Sequence, residues 1–297
     1  MNNKILCILS IVLLFSCSEG NNEKKVEKVD SKVKNLNVSI LLDLSDRIDT
    51  VLYANETMHF YKRDLGYIRS IARSFSSHLK TKRAFFIQDD IRVFIDPEPK
   101  SKKVNDVLQS LSFEFKRDTD GIIEKLDSLE NNYVELSSHL YNQALEDNVY
   151  PGSDIWNFFK KKVSDFCIKE DKDNVVIIIT DGYMFHEDSK YDESNRSSYL
   201  TSKNINAKGL NVSTYKDIIE EKDFGFIATR EDLKDLRVLV LGVNPSSSYS
   251  NPYEGDVIET YWENWLHEMG VQDAKIAEAY LPSEAEMIIN NFLLGER

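Results

Sequence analysis

The chain has 297 residues, with 37 Lys+Arg against 50 Asp+Glu and a formal net charge of −13. Hydrophobic residues at 41% and aromatic residues at 11% exclude a wholly disordered chain. The acidic balance excludes a general nucleic-acid binder, because phosphate neutralisation needs a basic face. Of the three cysteines, Cys7 and Cys17 lie in the first seventeen residues, so the body, with Cys167 alone, has no disulfide framework. Cys167 falls on an apolar helix face and reads as a small buried hydrophobe.

In chain order, Lys4 precedes an apolar run over residues 5–15, followed by Ser16-Cys17. One positive charge, a short apolar stretch and small residues before a cleavage point form a secretory signal. The run is shorter than the about 20 residues of a membrane span. Leu14-Phe15-Ser16-Cys17 resembles the lipobox of bacterial lipoproteins. That resemblance implies a signal peptide over residues 1–16, cleavage before Cys17 and acylation of Cys17. Ser18 then implies the outer membrane of a Gram-negative cell envelope, and more than one acyl chain gives firm anchoring. Residues 17–36 are polar and of mixed charge, and read as a solvated tether.

Val38-Ser39-Ile40-Leu41-Leu42 reads as a buried strand that ends in the polar cluster Asp43-Leu44-Ser45-Asp46-Arg47. Residues 58–79 carry Leu65, Ile68, Ile71, Ala72, Phe75 and Leu79 at helical spacing. Two strand-like runs follow, residues 84–87 and 91–95, and Gln88-Asp89-Asp90 between them is short enough for a hairpin. Residues 104–145 read mainly as helix, irregular near Thr119-Asp120-Gly121. Pro151-Gly152-Ser153-Asp154 is a turn into a helix over residues 155–168, with Ser153 or Asp154 as its cap. Residues 175–179 are the strongest strand and end at Thr180-Asp181-Gly182. A long polar segment over residues 186–235 holds a helix near Tyr215. Residues 238–243 and 274–281 are further strands, residues 257–269 a helix rich in aromatics, and residues 283–294 a last helix capped by Ser283 with Glu286.

Apolar strands alternating with helices predict an α/β fold, a doubly wound, mainly parallel sheet with one antiparallel edge strand. In such a sheet, ligands bind beyond the carboxyl ends of the strands. Asp43 and Ser45, Ser153 and Asp154, and Asp181 fall at that edge. Carboxylates and hydroxyls are hard oxygen donors that suit Mg²⁺, Mn²⁺ or Ca²⁺.

The order and content of these elements resemble the von Willebrand factor type A domain, over residues 37–294. Asp43-Leu44-Ser45 is similar to the first half of the family's Asp-x-Ser-x-Ser loop. Gly152-Ser153-Asp154-Ile155 is similar to its Thr loop, with Ser for Thr. Ile179-Thr180-Asp181-Gly182 matches its Thr-Asp-Gly turn. The resemblance implies a domain over residues 37–297 with a polar insertion at about 186–235. It implies a metal-ion-dependent adhesion site in which Asp43, Ser45, Ser153 and Asp181 hold a divalent cation. The cation would engage an acidic side chain of a protein ligand. Arg47 departs from the pattern, standing where the family has its second Ser. A guanidinium has no lone pair for a metal, so Arg47 is either an internal counter-ion for the carboxylates or turned away from them.

Three functions are compatible with the sequence: a lipid-anchored binding module of the envelope, a metal-assisted hydrolase using Asp43 and Asp181, and a scaffold lipoprotein with a decayed metal site. The binding module is the leading expectation, because no recognisable nucleophile or base accompanies the carboxylates. The five histidines show no His-x-x-x-His spacing, and no Gly-x-Ser-x-Gly or Gly-rich phosphate loop occurs. Asp43-Leu44-Ser45 also lacks the second Asp that haloacid-dehalogenase phosphatases carry. Tyr253, Tyr261, Trp262 and Trp265 read as core packing.

Overall fold

The computed structural model describes residues 34–55, 57–147, 152–246 and 251–295. Cys17, the expected signal peptide and nearly all of the expected tether lie outside the described residues. In chain order the strands are β1 (Asn35–Leu42), β2 (Gln88–Phe94), β3 (Phe113–Lys116), β4 (Lys172–Ile179), β5 (Asp192–Glu193), β6 (Arg196–Ser197), β7 (Gly225–Phe226), β8 (Leu236–Val243) and β9 (Asp273–Glu278). The helices are α1 (Phe60–Thr81), α2 (Lys102–Ser110), α3 (Ile122–Asp147), α4 (Ile155–Lys161), α5 (Val163–Cys167), α6 (Ser202–Ala207), α7 (Tyr215–Lys222), α8 (Glu254–Glu268) and α9 (Pro282–Leu294). Among the described residues, no helix is long and apolar enough to cross a membrane.

The main sheet has the order β3-β2-β1-β4-β8-β9. All neighbours are parallel except β3, which pairs antiparallel with β2 at one edge. This is the expected doubly wound α/β sheet with one antiparallel edge strand. Alternation along the central strands feeds two cores, one on each face. Val38, Ile40, Leu42, Val175, Ile177 and Ile179 join the core under α1, α3 and α9. Leu41, Val176 and Ile178 join the core under α4, α5 and α8. Among the described residues, both cores begin at Leu36 and lie within the unit of residues 34–297.

The first strand starts at Asn35, so it takes up the last two residues of the expected tether. Several other local expectations are corrected. The hairpin at residues 84–95 is absent. Ala84–Phe86 is a 3-10 turn, and β2 runs straight through Asp89 and Asp90. Those carboxylates sit inside a strand because Lys82 pairs with Asp89 at 2.7 Å, and both Lys169 and Lys172 pair with Asp90. The antiparallel partner is β3, within the stretch expected to be mainly helix. The helix expected over residues 155–168 breaks at Lys162, which is held over Asp96 at 3.2 Å. The last helix is not capped by Ser283 and Glu286. Leu281 is its N-cap, Pro282 its first residue, and Glu284 accepts the Leu281 N–H at 3.2 Å. The expected polar insertion is also well packed: Leu200, Ile205, Leu210, Tyr215, Ile219, Phe226 and Leu233 all join the second core.

Candidate functional site

The strand order reverses between β1 and β4: the chain steps outward through β2 on one side and through β8 and β9 on the other. In doubly wound sheets the crevice at that point is where ligands bind. Asp43 follows β1 and Asp181 follows β4 by two residues. Their ends are joined by the Asp43 N–H donating to the Ile179 carbonyl at 3.0 Å. The turn before α4 reaches the same edge, because Leu44 bridges Gly152 and Ser153 bridges Phe185. Gly152 takes φ +77° and Gly182 φ +93°, the left-handed region that favours glycine. A Cβ on Gly182 would stand 2.7 Å from Ile258, so the Asp181 turn also needs glycine to pack against α8.

A cleft of about 590 Å³ opens here. Asp43, Ser45, Ser153 and Asp181 all line it, with Asp46, Tyr53, Tyr183 and His186 among their neighbours. The Asp43 carboxylate is fixed from two sides. Its Oδ1 accepts the Ser45 N–H at 3.0 Å, and its Oδ2 accepts the Thr180 hydroxyl at 2.7 Å. Asp181 Oδ1 accepts the Tyr183 N–H at 3.1 Å. Burial and the nearby Asp43 charge push the Asp181 carboxyl up to about 7, with Arg47 acting the other way. The Ser153 hydroxyl oxygen is buried without a hydrogen-bond partner. Asp154, by contrast, is used structurally. Its Oδ1 caps α4 through the Asn157 N–H at 3.1 Å, and its Oδ2 accepts the Ser189 hydroxyl.

Arg47 does not line the cleft. Its guanidinium is buried, 3% exposed, and donates to the Asp43 carbonyl at 3.1 Å, Asp64 Oδ2 at 2.7 Å and the Ile179 carbonyl at 3.2 Å. It also stands 3.4 Å from Asp43 Oδ2. Burial opposes its charge, but Asp64 and Asp43 outweigh burial and hold its pKa above the ordinary value. Tyr141 donates to the same Asp64 oxygen at 3.0 Å. Sequence reasoning missed Asp64 and Tyr141, which complete this network. Asp64 had a signal: it lies on the stripe Asp64, Ile68, Ile71, Phe75, where a carboxylate must have a buried partner.

Among the described residues, no group of three or more His, Cys, Asp or Glu side chains is placed to hold a metal ion. The four expected donors, Asp43, Ser45, Ser153 and Asp181, are two carboxylates and two serine hydroxyls, and Asp46 lines the cleft beside them. In chemistry they suit a hard cation, and the unpartnered Ser153 oxygen is free to serve as one of its ligands.

No family model matches the chain, and no curated protein matches it. Among solved structures, the chain is similar to an aerotolerance-related membrane protein from Bacteroides fragilis, at 12% identity and a TM-score of 0.35, over 89% of this chain and 100% of that one. It is also similar to the pilus adhesin SpaC from Lactobacillus rhamnosus GG, at 9% identity and a TM-score of 0.40, over 88% of this chain and 30% of that one. A third is a D319A mutant of the PilB minor pilin from Streptococcus sanguinis, at 10% identity and a TM-score of 0.40, over 87% of this chain and 60% of that one.

Proposed function

We propose that the chain is a lipid-anchored binding module of the cell envelope, a von Willebrand factor A-like domain that engages a protein ligand at the cleft through a divalent cation. The observation that carries this reading is the buried, unpartnered Ser153 hydroxyl beside Asp43 and Asp181. Buried polar atoms are rarely left without a partner, and two carboxylates at one edge call for a positive one. Asp43, Ser45, Ser153 and Asp181 would hold Mg²⁺, Mn²⁺ or Ca²⁺ here. The ion would supply a coordination position for an acidic side chain of the ligand. Arg47 leaves this set one oxygen short of the family's pattern, so the affinity is weak, about 10⁻⁴–10⁻³ M as in extracellular cation sites. The anchor would be Cys17, whose lipobox-like setting implies acylation, and Ser18 after it implies the outer membrane.

Calorimetric titration of residues 34–297 with Mg²⁺ and with Mn²⁺ tests the cation. Wild type gives a saturable heat, while Asp181→Ala and Ser153→Ala lose it and keep their folded spectrum. No heat from wild type with either ion removes the cation from the reading and leaves a scaffold lipoprotein.

A further inference from the structure

The edge of the sheet opposite the cleft carries an exposed aromatic pair beside the point where the chain joins the folded unit. Asn37 of β1 pairs in register with Asp90 of β2, so the two strands start side by side. Lys116, the last residue of β3, stands opposite Gln88 and brings Arg117 to the same edge. The incoming chain is tied down here: Lys82 donates to the Lys34 carbonyl at 3.2 Å and to Asn35 Oδ1 at 3.0 Å. Directly after Lys82 come Arg83 and the Ala84–Phe86 turn. Phe85 is 58% exposed and Phe86 49%. Their rings meet edge to face at 5.3 Å, and the Arg117 guanidinium lies 4.4 Å over Phe85.

Charge at this edge is mixed, since exposed Glu170, Asp171 and Asp235 share a hollow with Lys34, while Arg83 and Arg117 stand next to the aromatic pair. Asp89 and Asp90 are buried and neutralised by Lys82, Lys169 and Lys172. Lys34, Arg83 and Arg117 are exposed, and among the described residues none of them is in an ion pair. Neighbouring aromatic rings flanked by cations match the boundary between headgroups and acyl chains, where rings bury and cations meet phosphate. Residues 18–33 span at most about 55 Å when extended. A lipid on Cys17 therefore keeps this edge at high effective concentration beside the membrane.

We propose that Phe85 and Phe86, with Lys34, Arg83 and Arg117, form a docking surface for an anionic lipid bilayer. The inference rests on the lipid-anchor reading for its setting, but its test does not use the anchor. Residues 34–297, which lack Cys17, are floated with vesicles of phosphatidylcholine alone and of phosphatidylcholine mixed with phosphatidylglycerol. The unit rises with the anionic vesicles, and salt reduces the bound fraction. Phe85→Ser/Phe86→Ser lowers the vesicle partition coefficient roughly tenfold. Arg83→Gln/Arg117→Gln brings it down to the level seen with phosphatidylcholine alone. Both pairs are exposed, so thermal unfolding of the variants stays that of wild type. Absence of flotation overturns the proposal. So does flotation unchanged by the Phe substitutions, including a result in which they abolish only a protein–protein contact. The anchor is judged separately by fractionating cells that express Cys17→Ala.

Discussion

At the residue scale, Arg47 decides how the site can be altered. It occupies the position where a second serine would complete the loop that Asp43 and Ser45 begin. Changing it to Ser would appear to restore a cation ligand. The structure gives that change a different first effect, because Arg47 holds the charge of Asp64, which is 0% exposed. Arg47→Ser leaves that carboxylate with the Tyr141 hydroxyl as a hydrogen-bond donor and the buried Arg63 as a nearby charge, but breaks its direct ion pair. Breaking a buried pair by removing one partner costs roughly 3–5 kcal/mol, more than one added oxygen ligand returns. Denaturant unfolding of Arg47→Ser is therefore expected to show a loss of about 3–5 kcal/mol, and Arg47→Ser/Asp64→Asn to recover most of it. Only the double variant then reports on cation affinity. Equal stability of Arg47→Ser and wild type would mean that Asp64 does not depend on Arg47. The carboxylates and hydroxyls of the cleft were legible in the sequence because each ends a strand or opens a helix. The direction of Arg47 was not, since its chief partner lies on a helix 17 residues away.

At the element scale, legibility followed burial. Residues 175–179 of β4 and 238–241 of β8 are apolar without interruption, and residues 38–42 of β1 are broken only by Ser39, because these strands are covered on both faces. The start of β2 is Gln88-Asp89-Asp90, which reads locally as a turn. Asp89 is neutralised by Lys82, seven residues before it, but Asp90 by Lys169 and Lys172 from 79 and 82 residues away, and no local pattern carries that second pairing. The segment over residues 186–235 reads as polar for a related reason: its large apolar residues are sparse, and while Leu200, Ile205, Leu210, Tyr215, Ile219, Phe226 and Leu233 are buried in the second core, Tyr191 and Val212 are exposed. Its protection against hydrogen exchange should therefore be divided rather than uniformly low. Met184 and Leu200 exchange both backbone hydrogen bonds, at 3.1 and 2.7 Å, and both are buried. Their amides are expected to exchange slowly, near the rates of β4. The amides of the exposed residues Glu193 and Asn195 should exchange within the earliest time points. Fast exchange at Met184 and Leu200 as well would mean that this segment does not hold the cleft's outer wall.

At the scale of the whole molecule, the cleft and the proposed docking surface lie at opposite ends of the same strands. β1 carries its chain-joining end at Asn35 and delivers Asp43 at its far end. Eight residues at about 3.3 Å each separate the two edges by about 26 Å. A domain that rests on lipid through Phe85 and Phe86 turns its cleft away from the membrane, where a soluble or surface ligand can reach it. Fluorophore labels placed on single introduced cysteines can read this orientation. Cys167 will not compete for the label, since it is fully buried and burial pushes its thiol up to about 12. Ala84 is exposed beside Phe85 at the proposed docking surface, and Lys203 is exposed on the rim of the cleft. In acylated protein reconstituted into vesicles that carry a headgroup quencher, a label on Ala84→Cys is expected to be quenched strongly. A label on Lys203→Cys should stay near its intensity in vesicles without quencher, because the length of the strands exceeds the reach of contact quenching. The reverse order would press the cleft against lipid, and neither a surface ligand at Asp43 and Asp181 nor docking through Phe85 and Phe86 would survive that result. Equal, weak quenching at both positions would mean that the domain stands off on its tether, and would leave the cleft reading intact while removing the docking surface.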